Sequence, residues 1–165
     1  MVDKQVLSHF IIMEKGVVDM QNLTYPKPLH ALSGWTLRLD GGFLVIAGTA
    51  ALLADTAGHF FGVGPLAMTM NSPYTIGSFE AHGLAVILGF LLLHAVKLID
   101  RQLWHALGLS IHLLLGTANL LFWSSFLQLD VLIVGIVTTA LHFIFVGAQA
   151  VCLRREIKEK AYVTT

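Results

Sequence analysis

Four long apolar stretches dominate the pattern of hydrophobic and polar positions along the chain. A helix that crosses the hydrocarbon core of a bilayer needs about 20 mostly apolar residues. A soluble domain would instead have to bury four nearly uncharged helices inside one small fold. The pattern therefore predicts membrane spans at about residues 41–62, 78–98, 103–126 and 130–153.

The composition favours the same interpretation. Of the 165 residues, 56% are hydrophobic and only 12% are charged, whereas soluble domains average about a quarter charged residues. So few charges cannot solvate the surface in water, and we expect the lipid bilayer to cover the helices. The formal net charge is zero, so no basic surface indicates nucleic-acid binding.

The positions of Lys and Arg predict the orientation of the chain in the membrane. Four precede the first span, two lie at the turn between the second and third spans, and four follow the fourth span. Residues 63–77 and the turn near Gln128 contain none. By the positive-inside rule, both termini and all ten cations are expected in the cytoplasm, with the spans crossing a bacterial cytoplasmic membrane.

The expected fold is all-α, a four-helix transmembrane bundle with N- and C-termini cytoplasmic. Residues 1–40 are predicted to form an N-terminal arm. Its amphipathic stretch (VLSHFIIMEKGVV) would lie along the membrane interface, and a mobile tail is the alternative. Residues 41–153 form the bundle of four spans, and residues 154–165 form a cytoplasmic tail.

Polar residues recur inside the predicted spans at intervals of seven, which keeps them on nearly one helix face. The third span carries His105, His112 and Asn119 at this spacing, and the fourth carries His142 and Gln149. Ionisable groups inside a bilayer are costly and usually face protein or a cavity. We therefore expect these polar faces to be buried together.

His112 and His142 are predicted to lie near the middle of the membrane at similar depth. Two imidazoles so placed on adjacent antiparallel helices suit the axial positions of a haem b-like tetrapyrrole, and Gly108 and Gly116 leave space beside His112. A single histidine could instead ligate a chlorophyll-type magnesium. The alternative is that each imidazole forms a hydrogen bond across the bundle to a Thr, an Asn or a backbone carbonyl. Both histidines are thus candidate cofactor-binding residues.

A second polar set, Asp55, His59, Glu80 and His82, is predicted near the outer ends of the first two spans. Carboxylate and imidazole groups suit a divalent transition metal, and Asp55 and His59 lie one turn apart on one helix face. Glu80 and His82 both face the interior only if the second span begins irregularly. The alternative to a metal site is an Asp–His hydrogen bond, with Glu80 and His82 at the wet interface.

Three functions remain open from the sequence. The leading one is binding of a haem-like tetrapyrrole or a transition metal for membrane redox chemistry. The alternative to it is a non-catalytic accessory subunit that contacts other membrane subunits or further copies of itself. A proton or quinone path is the third, because histidine titrates near neutrality. No Gly-x-Ser-x-Gly, His-Glu-x-x-His or Gly-x-x-x-x-Gly-Lys motif occurs, so the sequence assigns no enzymatic reaction.

Overall fold

The computed structural model describes residues 27–163, with side chains from Ala31 to Ala161. Every regular element within that range is helical, which confirms the predicted all-α class for this part of the chain. The four long helices are α1 (Lys27–Phe61), α2 (Thr75–Ala95), α3 (Gln102–Leu121) and α5 (Leu132–Val163). A short helix, α4 (Trp123–Gln128), joins α3 to α5, and a 3₁₀ turn (Ala67–Thr69) lies between α1 and α2.

All four long helices are long and apolar enough to cross a membrane, as their length and composition predicted. Large apolar side chains cover their outer surfaces. Ile46 on α1 is 73% exposed and Ile133 on α5 is 77% exposed. An apolar surface of this kind would be unfavourable in water, and it fits a multi-pass membrane protein whose helices contact lipid.

The first and last long helices, α1 and α5, extend beyond the predicted spans. α1 begins at Lys27, well before the first predicted span, so Asp40 is helical, and α5 continues through charged residues to Val163. Hydropathy marks where a helix is apolar, whereas the backbone hydrogen bonds of a helix continue through charged residues as well. Part of the predicted arm, residues 1–40, is therefore helical. The amphipathic stretch lies outside the described residues.

The third span is shorter than predicted because the helix is interrupted at Phe122. The backbone there has φ −103° and ψ 29°, outside the helical range, so α3 ends at Leu121. α4 begins at Trp123, and the left-handed φ of 55° at Asp130 redirects the chain before α5. What hydropathy predicted as one apolar helix is thus a membrane-length helix followed by a separate short one.

The interior is more polar than apolar. Among the described residues, eleven polar or charged side chains are buried against five apolar ones. In a bilayer the lipid already provides an apolar surrounding, so helices associate through close packing and interhelical hydrogen bonds. The five buried apolar residues are Leu37, Leu44, Leu92, Ala95 and Cys152.

α1 and α2 approach closely where two glycines face each other. A Cβ atom on Gly41 would lie 2.7 Å from the carbonyl oxygen of Gly89, and a Cβ on Gly89 would lie 2.7 Å from the carbonyl oxygen of Gly41. Real Cβ atoms do not come so close to backbone oxygens, so only glycine fits at either position. Small residues at such crossings are typical of membrane helices.

The connection between α1 and α2 lies against the end of α1. Gly62 follows the helix with φ +60°, a conformation that glycine adopts without steric cost. The N–H of Gly62 donates to the carbonyl of Gly58 at 3.1 Å, which is the single bond of an αL cap. The N–H of Asn71 donates to the carbonyl of His59 at 3.2 Å. The loop is therefore attached to the helix end by backbone hydrogen bonds.

Adjacent glycines in α1 provide a test of the α1–α2 contact. Gly41→Ala is expected to destabilise the protein by about 1–3 kcal/mol, because the added methyl meets backbone. At Gly42 a Cβ would meet nothing within 4 Å, and Gly42→Ala is expected to stabilise the helix by about 0.5–1 kcal/mol. Thermal unfolding in detergent, followed by circular dichroism, should show shifts of opposite sign. Equal shifts would contradict the close contact.

Candidate functional site

A chain of hydrogen-bonded polar side chains connects α1, α3 and α5. Its members on each helix are seven residues apart, which places them on one face of that helix. All of them except Glu156 are buried, and the central four are fully buried at 0% exposure. In order of contact, the members are Glu156, Ser33, His105, Gln149, Asp40, His112 and His142.

Asp40 on α1 is the centre of this chain, and both of its carboxylate oxygens have partners. Nε2 of His112 lies 2.7 Å from Oδ1, and Nε2 of Gln149 donates to Oδ2. An ionised carboxylate only accepts hydrogen bonds, so it fixes the orientation of the Gln149 amide. The amide oxygen then accepts from Nδ1 of His105 at 2.5 Å. One buried charge thus orders side chains on two other helices.

His112 and His142, the predicted cofactor ligands, are in direct contact. Their Nδ1 atoms are 2.8 Å apart, and the ring centroids are 5.1 Å apart. Because Nε2 of His112 contacts Asp40, both nitrogens of that ring have protein partners. Phe145 stacks on His112 at 4.9 Å between centroids, and Phe43 packs edge-on to His142 at 5.8 Å. The two imidazoles therefore form one hydrogen-bonded, aromatic-walled unit.

A haem between these two histidines does not fit this arrangement. Axial ligation needs the imidazoles on opposite faces of one macrocycle, whereas here their nitrogens touch. The space beside Gly108 holds the side chain of Gln149, 2.6 Å from where a Cβ would stand. The space beside Gly116 holds Phe143, 3.1 Å from the same point. The two imidazoles do form hydrogen bonds between helices, but with each other and with Asp40 instead of the expected Thr, Asn or backbone carbonyl.

Ser33, His105 and Glu156 form the end of the chain opposite His142. Oγ of Ser33 lies 2.7 Å from Nε2 of His105 and 2.9 Å from Oε1 of Glu156. A hydroxyl has one proton, so it can donate to only one of these partners. Since Nδ1 of His105 donates to Gln149, either His105 carries both ring protons beside an ionised Glu156, or Glu156 is protonated. The three groups therefore share one transferable proton.

Arg101, between α2 and α3, lies beside this end of the chain. Although it precedes a membrane span, it is only 7% exposed, and its guanidinium donates to the carbonyls of Val96 and Leu98 at the end of α2. Burial lowers the pKa of Arg101, the nearby Glu156 carboxylate raises it, and Arg38 lowers it further. The guanidinium stays charged in any case.

A separate cluster joins α1 to α2 around Asp55, which is 1% exposed. Ser78 donates to one carboxylate oxygen at 2.6 Å, and Nδ1 of His82 lies 2.6 Å from the other. His59 lines the same cavity of about 370 Å³ as Asp55. The Nδ1 atom of His59 is buried without a hydrogen-bond partner among the described residues. Glu80 is exposed, because a regular helix turns it away from His82.

Of the four predicted metal ligands, the structure thus brings Asp55 and His82 into contact and places His59 at the same cavity. Glu80 is not part of the cluster. Within residues 31–161, no group of three His, Cys, Asp or Glu side chains is arranged to hold a metal ion. An Asp–His hydrogen bond does form, but its histidine is His82, which the alternative had placed at the wet interface.

Ser33, Asp40 and Glu156 are the members of the buried chain that were predicted neither as site residues nor as part of a polar helix face, whereas His105 and Gln149 were placed on such faces. All three lie outside the predicted apolar spans, in stretches assigned to the arm and the tail. The signal that identifies them is the seven-residue interval, which continues from His142 and Gln149 to Glu156. The same interval separates Ser33 from Asp40. Helical spacing continued past the charged residues would have found them.

Gln149 provides a test of how much the buried chain stabilises the protein. Gln149→Leu removes a donor from Asp40 and an acceptor from His105, and should lower the free energy of unfolding by about 1–3 kcal/mol. Thr117→Val, at an exposed position of α3, is the control and should change little. Thermal unfolding of both variants in detergent measures the difference. Equal stability of Gln149→Leu and wild type would contradict a stabilising role.

An absorption spectrum tests the geometric argument against haem. We expect protein purified from cells supplied with haem to show no stoichiometric Soret band, because the two imidazoles contact each other. His112→Ala and His142→Ala should then leave the spectrum unchanged. A Soret band with sharpened reduced α-bands, lost in either variant, would show instead that the rings separate to bind haem. Metal analysis of the same sample tests the Asp55 cluster.

No protein-family model, curated protein sequence or solved structure matches this chain. Four-helix layouts occur in proteins of many activities, so the fold alone indicates no function. What the chain does has to be inferred from its own residues. Among these, Asp40, His112 and His142 form the most specific arrangement.

Proposed function

We propose that this chain is a multi-pass membrane protein that exchanges a proton inside the bilayer through Asp40, His112 and His142. The observation that carries this proposal is the direct contact between the two Nδ1 atoms, 2.8 Å apart, with Asp40 on the far nitrogen of His112. With the termini in the cytoplasm, as the Lys and Arg positions indicate, the Glu156 end of the chain faces the cytoplasm. His142 then lies deeper in the membrane.

The contact between the two Nδ1 atoms holds a single proton. Because Nε2 of His112 donates to the Asp40 carboxylate, its Nδ1 is free either to accept or to donate. In the first arrangement His142 donates from Nδ1, and both imidazoles are neutral. In the second arrangement His112 carries both ring protons and donates to His142. The two arrangements differ by one proton in the whole unit.

Conversion between these arrangements is a proton relay through His142. A proton binds to Nε2 of His142, the bond from Nδ1 of His142 to its proton breaks, and that proton binds Nδ1 of His112. The charge of the added proton then rests on His112 beside Asp40. Histidine suits this step because its two ring nitrogens exchange donor and acceptor roles near neutral pH.

Asp40 stabilises the protonated arrangement in a buried site. A lone imidazolium away from water is strongly disfavoured, but here it would lie against a carboxylate 2.7 Å away. The pair has no net charge when the extra proton is bound. When the proton leaves, Asp40 remains with two hydrogen-bond donors, His112 and Gln149. Each protonation state therefore has its charges paired or hydrogen bonded.

Gln149 separates this unit from the group of Glu156, Ser33 and His105. Its amide accepts at the oxygen and donates at the nitrogen, two different atoms, so it does not pass a proton along by a simple relay. The two ends of the chain therefore hold their protons separately. They influence each other through charge, since His105 and Asp40 contact the same amide. Proton exchange at His112 takes place from the His142 side.

A structural role is the alternative function. Each member of the buried chain has a hydrogen-bond partner, as expected also for an accessory subunit whose polar groups only hold helices together. Interhelical hydrogen bonds of this kind average about 0.6 kcal/mol each. The two functions differ in one respect. Only a proton-exchanging unit changes its protonation within the pH range in which the protein stays folded.

Nitrogen NMR of histidine-labelled protein in lipid bilayers tests the proposal, because it distinguishes neutral from doubly protonated imidazole. We expect the signals of His112 and His142 to change together as the pH is lowered over the range in which the protein stays folded. In Asp40→Asn the doubly protonated population should be smaller at every pH, because the compensating charge is gone. Asp130→Asn, at an exposed turn, is the matched control and should titrate like wild type.

A pair that keeps one protonation state at every pH at which the protein remains folded would overturn proton exchange. The structural role would then be the better account of these residues. Titration that is the same in Asp40→Asn and in wild type would overturn the role given to Asp40.

A further inference from the structure

A cavity of about 410 Å³ lies next to His142 in the interior of the protein. All five helices contribute residues to its wall, and the volume is within the range of about 300–1,000 Å³ typical of small-molecule sites. Much of the space results from alanines on α1 and α2, among them Ala47, Ala51 and Ala85. Larger side chains at these positions would fill it.

Asn119, Thr138 and His142 form a polar wall of this cavity on α3 and α5, and His82 lines the cavity from α2. His142 is 8% exposed and lines the cavity. Its Nδ1 contacts His112, and no described residue forms a hydrogen bond to its Nε2. Asn119 lines the same wall and donates to Oγ1 of Thr138 at 3.3 Å, which leaves its carbonyl oxygen and second amide proton for another partner. One imidazole nitrogen of the buried His142 and the amide of Asn119 are thus available to an occupant.

The remaining lining limits what that occupant can be. Phe43, Leu44, Leu115 and Phe126 provide an apolar and partly aromatic wall. No Lys, Arg, Asp or Glu lines the cavity, so it does not suit a phosphate or a carboxylate head. Ala50 and Ala81 line the cavity and are also exposed on the outer surface, where the helices face lipid. The chemistry indicates a neutral, lipid-soluble ring with hydrogen-bonding oxygens.

We propose that this cavity binds a molecule of the quinone and quinol class, with one ring oxygen between Nε2 of His142 and the amide of Asn119. The role of the ligand as partner in proton exchange rests on the function proposed above. When His142 holds its proton on Nδ1, its Nε2 accepts a hydrogen bond from a quinol hydroxyl. When His112 holds both of its ring protons, Nε2 of His142 carries a proton and donates to a quinone carbonyl.

The proton step is balanced without any electron transfer. The O–H bond of the quinol breaks, its proton binds Nε2 of His142, and the proton on Nδ1 moves to Nδ1 of His112. The ligand is left as the quinol anion, and the positive charge lies beside Asp40. The relay thus matches the hydrogen-bonding needs of both forms of the ligand.

The experiment uses the full chain in lipid nanodiscs with decylubiquinone as the probe. We expect a saturable shift of the His142 Nε2 signal and a rise in the midpoint of thermal unfolding. Ala47→Phe, which fills the cavity, should abolish both effects. Ala140→Phe adds the same side chain at an exposed position of α5, and it should bind like wild type. Asn119→Leu should weaken binding by up to about tenfold, the effect of one hydrogen bond.

No shift of the His142 signal with decylubiquinone, together with water cross-peaks to His142, would show a hydrated cavity and overturn the proposal. If Ala47→Phe and Asn119→Leu bind decylubiquinone as strongly as the wild-type protein does, the ligand lies elsewhere, and the proposal is overturned. Titration of the histidine pair without ligand is measured on the same samples. If the histidine pair titrates but decylubiquinone does not bind, the proposed ligand is rejected and the proposal of proton exchange stands. Binding without titration supports the site and rejects the relay.

Discussion

Asp40 carries the negative charge around which α1, α3 and α5 are arranged. Removing a carboxylate from water costs several kcal/mol unless donors surround it, and here the donors come from His112 and Gln149 on two different helices. Meeting that requirement sets the depth and rotation of α3 and α5 relative to α1. The helices are therefore positioned by one polar constraint, since lipid covers the outer apolar side chains without specifying their arrangement.

The same constraint explains why the interior is polar and the outside apolar. In water a protein gains stability by burying apolar side chains. In a bilayer it gains little from doing so, and the energetic difference between correct and incorrect packing comes from close contacts and from paired polar groups. Between α1 and α2, Gly41 packs closely against Gly89. The two helices are also joined by the hydrogen bonds of Asp55 with Ser78 and His82.

The number of spans and the polar faces could be predicted from the sequence because both depend on local pattern. Apolar length predicted four membrane helices, and seven-residue spacing predicted that His112 and His142 would come together. Hydropathy could not predict that α1 contains Asp40, since it measures only the cost of a charge and not the donors that offset it. Those donors lie about 70 and 110 residues away along the chain. For the same reason, sequence could not distinguish a haem between two histidines from a proton between them.

Spacing by sevens also has a consequence for how such a chain can change over evolutionary time. One inserted residue turns everything beyond it by about 100° and moves it by about 1.5 Å. An insertion between Ser33 and Asp40, or between His142 and Gln149, would therefore direct a charged or polar side chain into the lipid. The interval of seven is therefore a constraint on the three polar helices that hydropathy does not impose, since any other spacing would turn part of a polar face toward lipid.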